Sequence, residues 1–167
     1  RDYKLVIGVH MGDAREAVRA NAEDWVAILK RAYGAPNNIT SFFGHGAFLR
    51  WVEAHQEEAR ELLVRLWDDE GDALDRFETF LAAVPDEAVK GRGTRVNVLG
   101  LLLLAIDPYG LPPFKTTALE RSYGLVDFDA PPADEGEGGI YRRSIAFYDA
   151  LLEHARTAGL ELRDRLD

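Results

Sequence analysis

Apolar residues recur at three- and four-residue steps along most of the chain, and sustained alternation is scarce. Over residues 14–33, Val18, Trp25, Ile28, Leu29 and Ala32 share one helical face, with Arg15, Glu16, Arg19, Glu23 and Lys30 on the other. Asp13 is expected to cap this helix and Gly34 and Pro36 to end it. Pro36-Asn37-Asn38 reads as a turn. Phe42-Phe43-Gly44-His45-Gly46 is an aromatic knot bracketed by glycines, followed by a helix with Phe48, Leu49, Trp51 and Val52 as its apolar positions. Residues 57–68 form a further helix with Ala59, Leu62, Leu63, Leu66 and Trp67 inward. Gly71 breaks it, and Asp72 caps the next, where Leu74, Phe77 and Leu81 are spaced for burial before Pro85 closes the region.

Lys90-Gly91-Arg92-Gly93-Thr94 reads as a flexible basic loop. Residues 96–106 are then apolar almost all round, the mark of a central buried helix. Asp107-Pro108-Tyr109-Gly110 stops it, and Leu111-Pro112-Pro113-Phe114 is stiff and extended. Thr116 or Thr117 is expected to cap a short helix through Tyr123. Residues 129–139 form a polar, Pro- and Gly-rich loop expected to be mobile, and a last long helix covers about residues 140–158 until Gly159 ends it. Residues 1–10 stand apart: the β-branched content of residues 3–9 reads as a short strand, or the whole segment as vector-derived sequence ahead of Met11. The expected architecture is therefore all-α: an irregular bundle of about six to seven helices around a central helix at about 96–106. Residues 11–167 would form one helical domain. Leu160, Leu162 and Leu166 leave an unfinished apolar pattern, so the domain reads as excised from a longer protein.

Composition narrows the function more by exclusion than by indication. There is no cysteine among the 167 residues, which removes disulfides, thiolate metal sites and cysteine nucleophiles. The longest apolar run falls far short of the roughly 20 residues that span a bilayer. No segment has the make-up of a signal peptide, so a cytoplasmic protein without membrane contact is expected. The net charge of −9 disfavours nonspecific DNA binding through the bulk field. The charge is uneven, however. Over residues 53–78 ten acids outnumber three bases, a net −7; over residues 90–123 five bases (Lys90, Arg92, Arg95, Lys115, Arg121) outnumber two acids, a net +3. An anionic partner should meet the second stretch.

The chain has no P-loop, no G-x-S-x-G elbow, no H-E-x-x-H and no EF-hand pattern. Its four histidines, His10, His45, His55 and His154, are scattered, and no pair is spaced i, i+4. His45 and His55 could approach Glu53 or Asp68, but scattered histidines of this kind are ordinarily surface or capping groups. Asp68-Asp69-Glu70 lies at a helix end, where acids are solvated or cap. Trp25, Trp51 and Trp67 sit at core spacings. No catalytic residue, metal or cofactor is expected in this chain. The segment that rises above this background is residues 94–123. There a Pro112-Pro113 brace presents Phe114 and Lys115 beside Thr116 and Thr117 at a helix N-terminus, which suits a phosphate-like anion. The same brace also reads as a plain stiff connector with Phe114 buried.

Gly93-Thr94-Arg95 through Asp107-Pro108, then Pro112-Pro113-Phe114-Lys115-Thr116-Thr117 and Glu120-Arg121-Ser122-Tyr123, resemble the N-terminal regions of some McrB-like AAA+ ATPases, the motor subunits of modification-dependent restriction systems. Ile140-Tyr141, Phe147, Leu151 and the tail Ala158-Gly159-Leu160-Glu161-Leu162-Arg163-Asp164-Arg165-Leu166-Asp167 extend the resemblance. It implies a noncatalytic helical domain joined to a motor module of the same polypeptide. That module would carry the nucleotide chemistry, while this chain would contribute to DNA-target engagement or to assembly with other subunits. The residues expected to meet DNA are Arg92, Arg95, Lys115, Thr116 and Arg121, and their clustering on one surface would give DNA contact weight. The alternative is a protein–protein adaptor or oligomerisation module using the acidic helices, favoured by an exposed apolar patch on Phe42, Phe43 or Phe48. A small enzyme built on His45 or His55 would need a deep pocket lined by those groups.

Overall fold

The structure, a computed structural model, describes residues 1–35, 39–126 and 128–167. The turn expected at Pro36-Asn37-Asn38 lies outside the described residues. Among those residues the chain is all-helical, with eight α-helices and no strand, close to the six to seven helices expected. They are α1 (Asp2–Arg19), α2 (Trp25–Gly34), α3 (Phe42–Ala54), α4 (Gln56–Leu66), α5 (Ala73–Ala83), α6 (Arg92–Gly100), α7 (Thr116–Leu125) and α8 (Glu137–Thr157). No helix among the described residues is long and apolar enough to cross a membrane.

The first helix overturns the strand expected at residues 3–9. Ile7, Met11, Ala14 and Val18 are buried at helical spacing, while Val6 and Val9 face outward. β-branched content is a weak preference that a buried stripe of period 3.6 overrides. The single helix expected over residues 14–33 is instead divided between α1 and α2. Asn21 adopts φ +51°, the Ala22 N–H reaches Ala17 O at 2.9 Å and the Asn21 N–H reaches Val18 O at 3.2 Å. This is a Schellman ending, with asparagine in the left-handed position that few non-glycine residues tolerate. It folds α2 back against α1 as a helical hairpin. The same motif closes α8, where Gly159 takes φ +73° and the Leu160 N–H reaches Ala155 O at 2.8 Å. Asp72 caps α5 as expected, accepting from the N–H groups of Leu74 and Asp75 at 2.9 and 3.0 Å.

The apolar run lies at the centre, as its composition requires. Val96, Val98, Leu99 and Leu101 to Leu104 are buried between α1, α3, α5 and α8. The run is not one α-helix: α6 ends at Gly100 and Leu101–Ala105 continue as a 3-10 helix. With three residues per turn, the four consecutive leucines are distributed all round the axis. Carbonyls flanking this change of helix type gain side-chain donors: Tyr33 OH donates to Val98 O at 2.9 Å and Trp67 Nε1 to Leu102 O at 3.0 Å. Asp107 then accepts from the N–H groups of Tyr109 and Gly110, ending the run as expected. At the other end, α6 begins earlier than expected. Arg92, Gly93 and Thr94 belong to the helix, and Gly91, at φ +86°, makes the turn into it.

Candidate nucleic-acid interface

The five candidate residues do not share one fate. Arg95 is only 4% exposed. Its guanidinium donates to Leu81 O, Val84 O, Pro85 O and Val89 O at 2.7 to 3.4 Å, and pairs with the Glu137 carboxylate at 2.8 Å. It thereby caps the carboxyl end of α5 and ties the following turn to the start of α8. Its guanidinium is buried and engaged by these carbonyls and Glu137, so the expectation that Arg95 meets DNA is corrected. The sequence could not reveal this, because the carbonyls it serves lie at the end of α5 and in the turn that follows it, and their pairing with Arg95 is tertiary.

Arg92 is exposed at the start of α6 and donates to Ala133 O and Glu135 O, both at 2.7 Å. Those bonds pin the loop expected to be mobile, and they leave the charge uncancelled because carbonyls are neutral. Thr116 does not cap α7: its hydroxyl donates to Gly93 O at 3.2 Å, and Lys115 stands at the N-cap position without a capping side chain. Phe114 is buried, as the connector reading requires. Arg121 is exposed, about 140° around α7 from Thr116 at 100° per residue, and among the described residues no hydrogen bond or ion pair joins it to the others. Lys90 borders a cleft with Arg92, but Asp86 and Glu87 line the same cleft. That side is therefore mixed in charge.

The Thr116 bond fixes the geometry of the opposite side. It holds the first turn of α7 on the first turn of α6, so close that a β-carbon on Gly93 would lie 3.0 Å from the Thr116 hydroxyl. The first turn of α3 meets the same edge: a β-carbon on Gly44 would lie 3.2 Å from a Thr94 methyl and 3.0 Å from a Val98 methyl. Asn97 locks the arrangement, its amide donating to Ile39 O at 3.0 Å and Phe114 O at 2.6 Å, in the segments leading into α3 and α7. Three helix N-termini thus meet at one edge, each carrying a partial positive charge and N–H groups without intrahelical partners. The residues that these contacts join, Ser41, Gly44, Gly93, Thr94 and Thr116 with the adjoining Lys115, include no acid.

Sequence reasoning missed the share of α3. Ser41 caps it, accepting from the Gly44 N–H at 3.1 Å, and Phe42 and Phe43 at its tip are 77% and 85% exposed. Phe48, the third aromatic considered for a patch, is buried. The available signal was Asn97, the one polar side chain within residues 96–106, which has to find partners on neighbouring segments. His45 packs beneath this tip, its Nδ1 3.0 Å from the Thr40 hydroxyl and its ring against Tyr33 and Phe42. Burial there pushes its pKa below the ordinary histidine range.

The remaining histidines are engaged separately. His55 Nδ1 lies 3.0 Å from Trp51 O with its ring stacked on Trp51, and His10 lies beside Asp13. Among the described residues no group of three His, Asp or Glu side chains is arranged to hold a metal ion. A partly open cleft of about 190 Å³ runs between α7, α8 and the tail, with Phe147, Leu151 and Leu162 among its lining and Lys115 on its rim. No protein-family model, curated protein or solved structure matches this chain.

Proposed function

We propose that the chain is a noncatalytic helical module of a McrB-like restriction ATPase and that it engages DNA through the edge where α3, α6 and α7 begin. The single observation that supports this is the meeting of three helix N-termini beside Lys115, where the joined residues carry no carboxylate; Arg92, at the start of α6, borders the neighbouring cleft of mixed charge. Backbone N–H groups and helix dipoles suit phosphate oxygens, and they hold DNA in register without reading its bases. The contacts are few and the net charge is −9, so binding by the isolated chain is weak and salt-sensitive. Nucleotide hydrolysis belongs to the motor module, and the chain acts in the cytoplasm with that module and other subunits as its protein partners.

Fluorescence anisotropy with short duplexes, modified and unmodified, at two salt concentrations tests the reading. Affinity should fall with salt at a log–log slope of roughly −0.9 per phosphate contact. Lys115→Glu should weaken binding, and Glu58→Ala on the acidic side should leave it unchanged. If no binding occurs at low salt, or Lys115→Glu binds as well as the parent, the DNA reading is wrong. The second reading, a protein–protein adaptor, draws support from the exposure of Phe42 and Phe43. It predicts a partner subunit captured by the parent and lost by Phe42→Ala/Phe43→Ala.

A further inference from the structure

The cleft between α7, α8 and residues 162–167 is walled by Leu119, Phe147, Leu151 and Leu162, and Lys4 of α1 and Tyr148 of α8 line it too. Leu151 and Leu162 are 36% and 41% exposed, so this apolar wall is open to water rather than closed by the chain itself. The charges on the wall are matched unequally. Asp164 accepts two bonds from Arg1 and one from the Leu166 N–H, and Asp167 is paired with both Arg1 and Arg163. Arg165 is paired with Asp149 and donates to Gly110 O. Lys4 is half-buried, and its ammonium donates to Leu166 O at 3.1 Å but forms no ion pair among the described residues. Burial pushes its pKa below the ordinary lysine range, and the Arg1 guanidinium adds to this; Asp164 and Asp167 offset only part. The Tyr148 hydroxyl, on the same cleft, has no hydrogen-bond partner among the described residues.

We infer that this cleft binds a small apolar carboxylate, its hydrocarbon or aryl body held between α7 and α8 and its head on the Lys4 ammonium. The inference is independent of the DNA reading. A desolvated ammonium with donors to spare is stabilised by an anion that follows it into the cleft, and a hydrogen bond to a charged group is worth more than one between neutral groups. A cationic ligand would be repelled by Lys4 and would find Asp164 and Asp167 already committed to Arg1 and Arg163. A dianion such as a phosphate monoester would meet the field of those same two carboxylates, so a singly charged head fits best. Size sets the body. The cleft holds about 190 Å³, against the roughly 150 Å³ of an apolar cavity that takes up benzene. That is room for a ligand of about a dozen heavy atoms and far too little for a helix or strand.

The test uses the intact chain labelled with nitrogen-15, titrated at neutral pH with 4-phenylbutyrate and with its uncharged amide, 4-phenylbutanamide, and followed by amide chemical shifts. A ligand of this size should bind with a Kd on the order of 1 mM. The expected result is a set of shifts confined to α7, α8, the start of α1 and residues 160–167, with the acid binding about tenfold more tightly than the amide. Lys4→Met keeps the aliphatic stem and removes the ammonium, so it should bring the acid down to the affinity of the amide while the amide itself is unaffected. Leu151→Asp, at a partly exposed position, should abolish binding of both, with a circular dichroism melting curve like that of the parent. Equal affinity of acid and amide in the parent, or an advantage of the acid that survives Lys4→Met, overturns the inference. So do shifts centred elsewhere in the molecule, or none at about ten times the expected Kd. If Leu151→Asp fails to fold, the comparison of acid with amide in the parent and in Lys4→Met still decides.

Discussion

The α4–α5 side and the edge where α3, α6 and α7 begin differ more in how their charges are matched than in how many they carry. Residues 53–78 hold the larger excess, and part of that excess is met from outside the segment. Arg15 and Arg19 converge on Asp69, and Arg142 reaches Asp75 and Glu78. At the start of α6 Arg92 donates to two carbonyls, which fix its position without forming an ion pair, and it borders a cleft that Asp86 and Glu87 also line, while the helix ends add partial positive charge. A count along the chain therefore ranks the two regions by the wrong quantity. The field a partner meets depends on whether each charge has found its opposite, and Arg95 shows how completely tertiary structure can remove one from the surface.

The largest effect should come from breaking the core that both regions share. Leu102→Asp puts a carboxylate into the buried 3-10 helix, at a cost of several kcal/mol. At roughly 2–4 °C per kcal/mol for a domain of this size, the melting temperature should fall by about 10 °C or more. An unchanged melting curve would refute the central placement of this run. Next comes Arg95→Met, which leaves four carbonyls without their donor and Glu137 without its cation. Breaking a buried pair on one side typically costs about 3–5 kcal/mol. Arg92→Ala, three positions away, should scarcely move the melting temperature. If Arg95→Met melted like Arg92→Ala, Arg95 would not be the structural clamp described. Lys115→Glu tests the edge itself: it should leave the fold intact and make the salt dependence of DNA binding shallower by about one phosphate contact.

How much of this was legible depends on whether the deciding contact is local. Asp72 and Gly159 act on their own helix ends, and the chain predicted both. The burial of residues 96–106 follows from having no polar face, although the change to a 3-10 helix at Leu101 does not. Residues 3–9 misled because their β-branched content was weighed above the spacing of Ile7 with Met11, Ala14 and Val18. At the candidate site, Lys115 and Thr116 were identifiable from the brace before α7. The role of Thr116 was not, since its hydroxyl goes to Gly93 O across a gap of 23 residues. The share of Phe42 and Phe43 depends on Gly44 packing against Thr94 and Val98, a pairing that no local pattern encodes.

The smallest effect separates the two regions by the pH at which each loses stability. Burial lowers the pKa of His45 in the folded protein, so the unfolded chain takes up its proton first. The stability this histidine contributes is therefore complete above its unfolded pKa of about 6.5 and declines as pH falls towards the lower folded value. Asp69 is also lowered, chiefly by its hydrogen bond from Arg19 and further by Arg15. Its contribution is present above the ordinary aspartate range, near pH 4, and disappears only as pH falls below that range. Acidification should thus loosen the α3 tip first and the α1 to α4–α5 contact later. Urea midpoints measured at closely spaced pH values should show a first decline just below pH 6.5 that His45→Gln removes and Asp69→Asn leaves in place. A second decline in the carboxylate range should lose part of its amplitude in Asp69→Asn. If His45→Gln leaves the near-neutral decline unchanged, burial of this histidine does not set the acid response of the α3 edge.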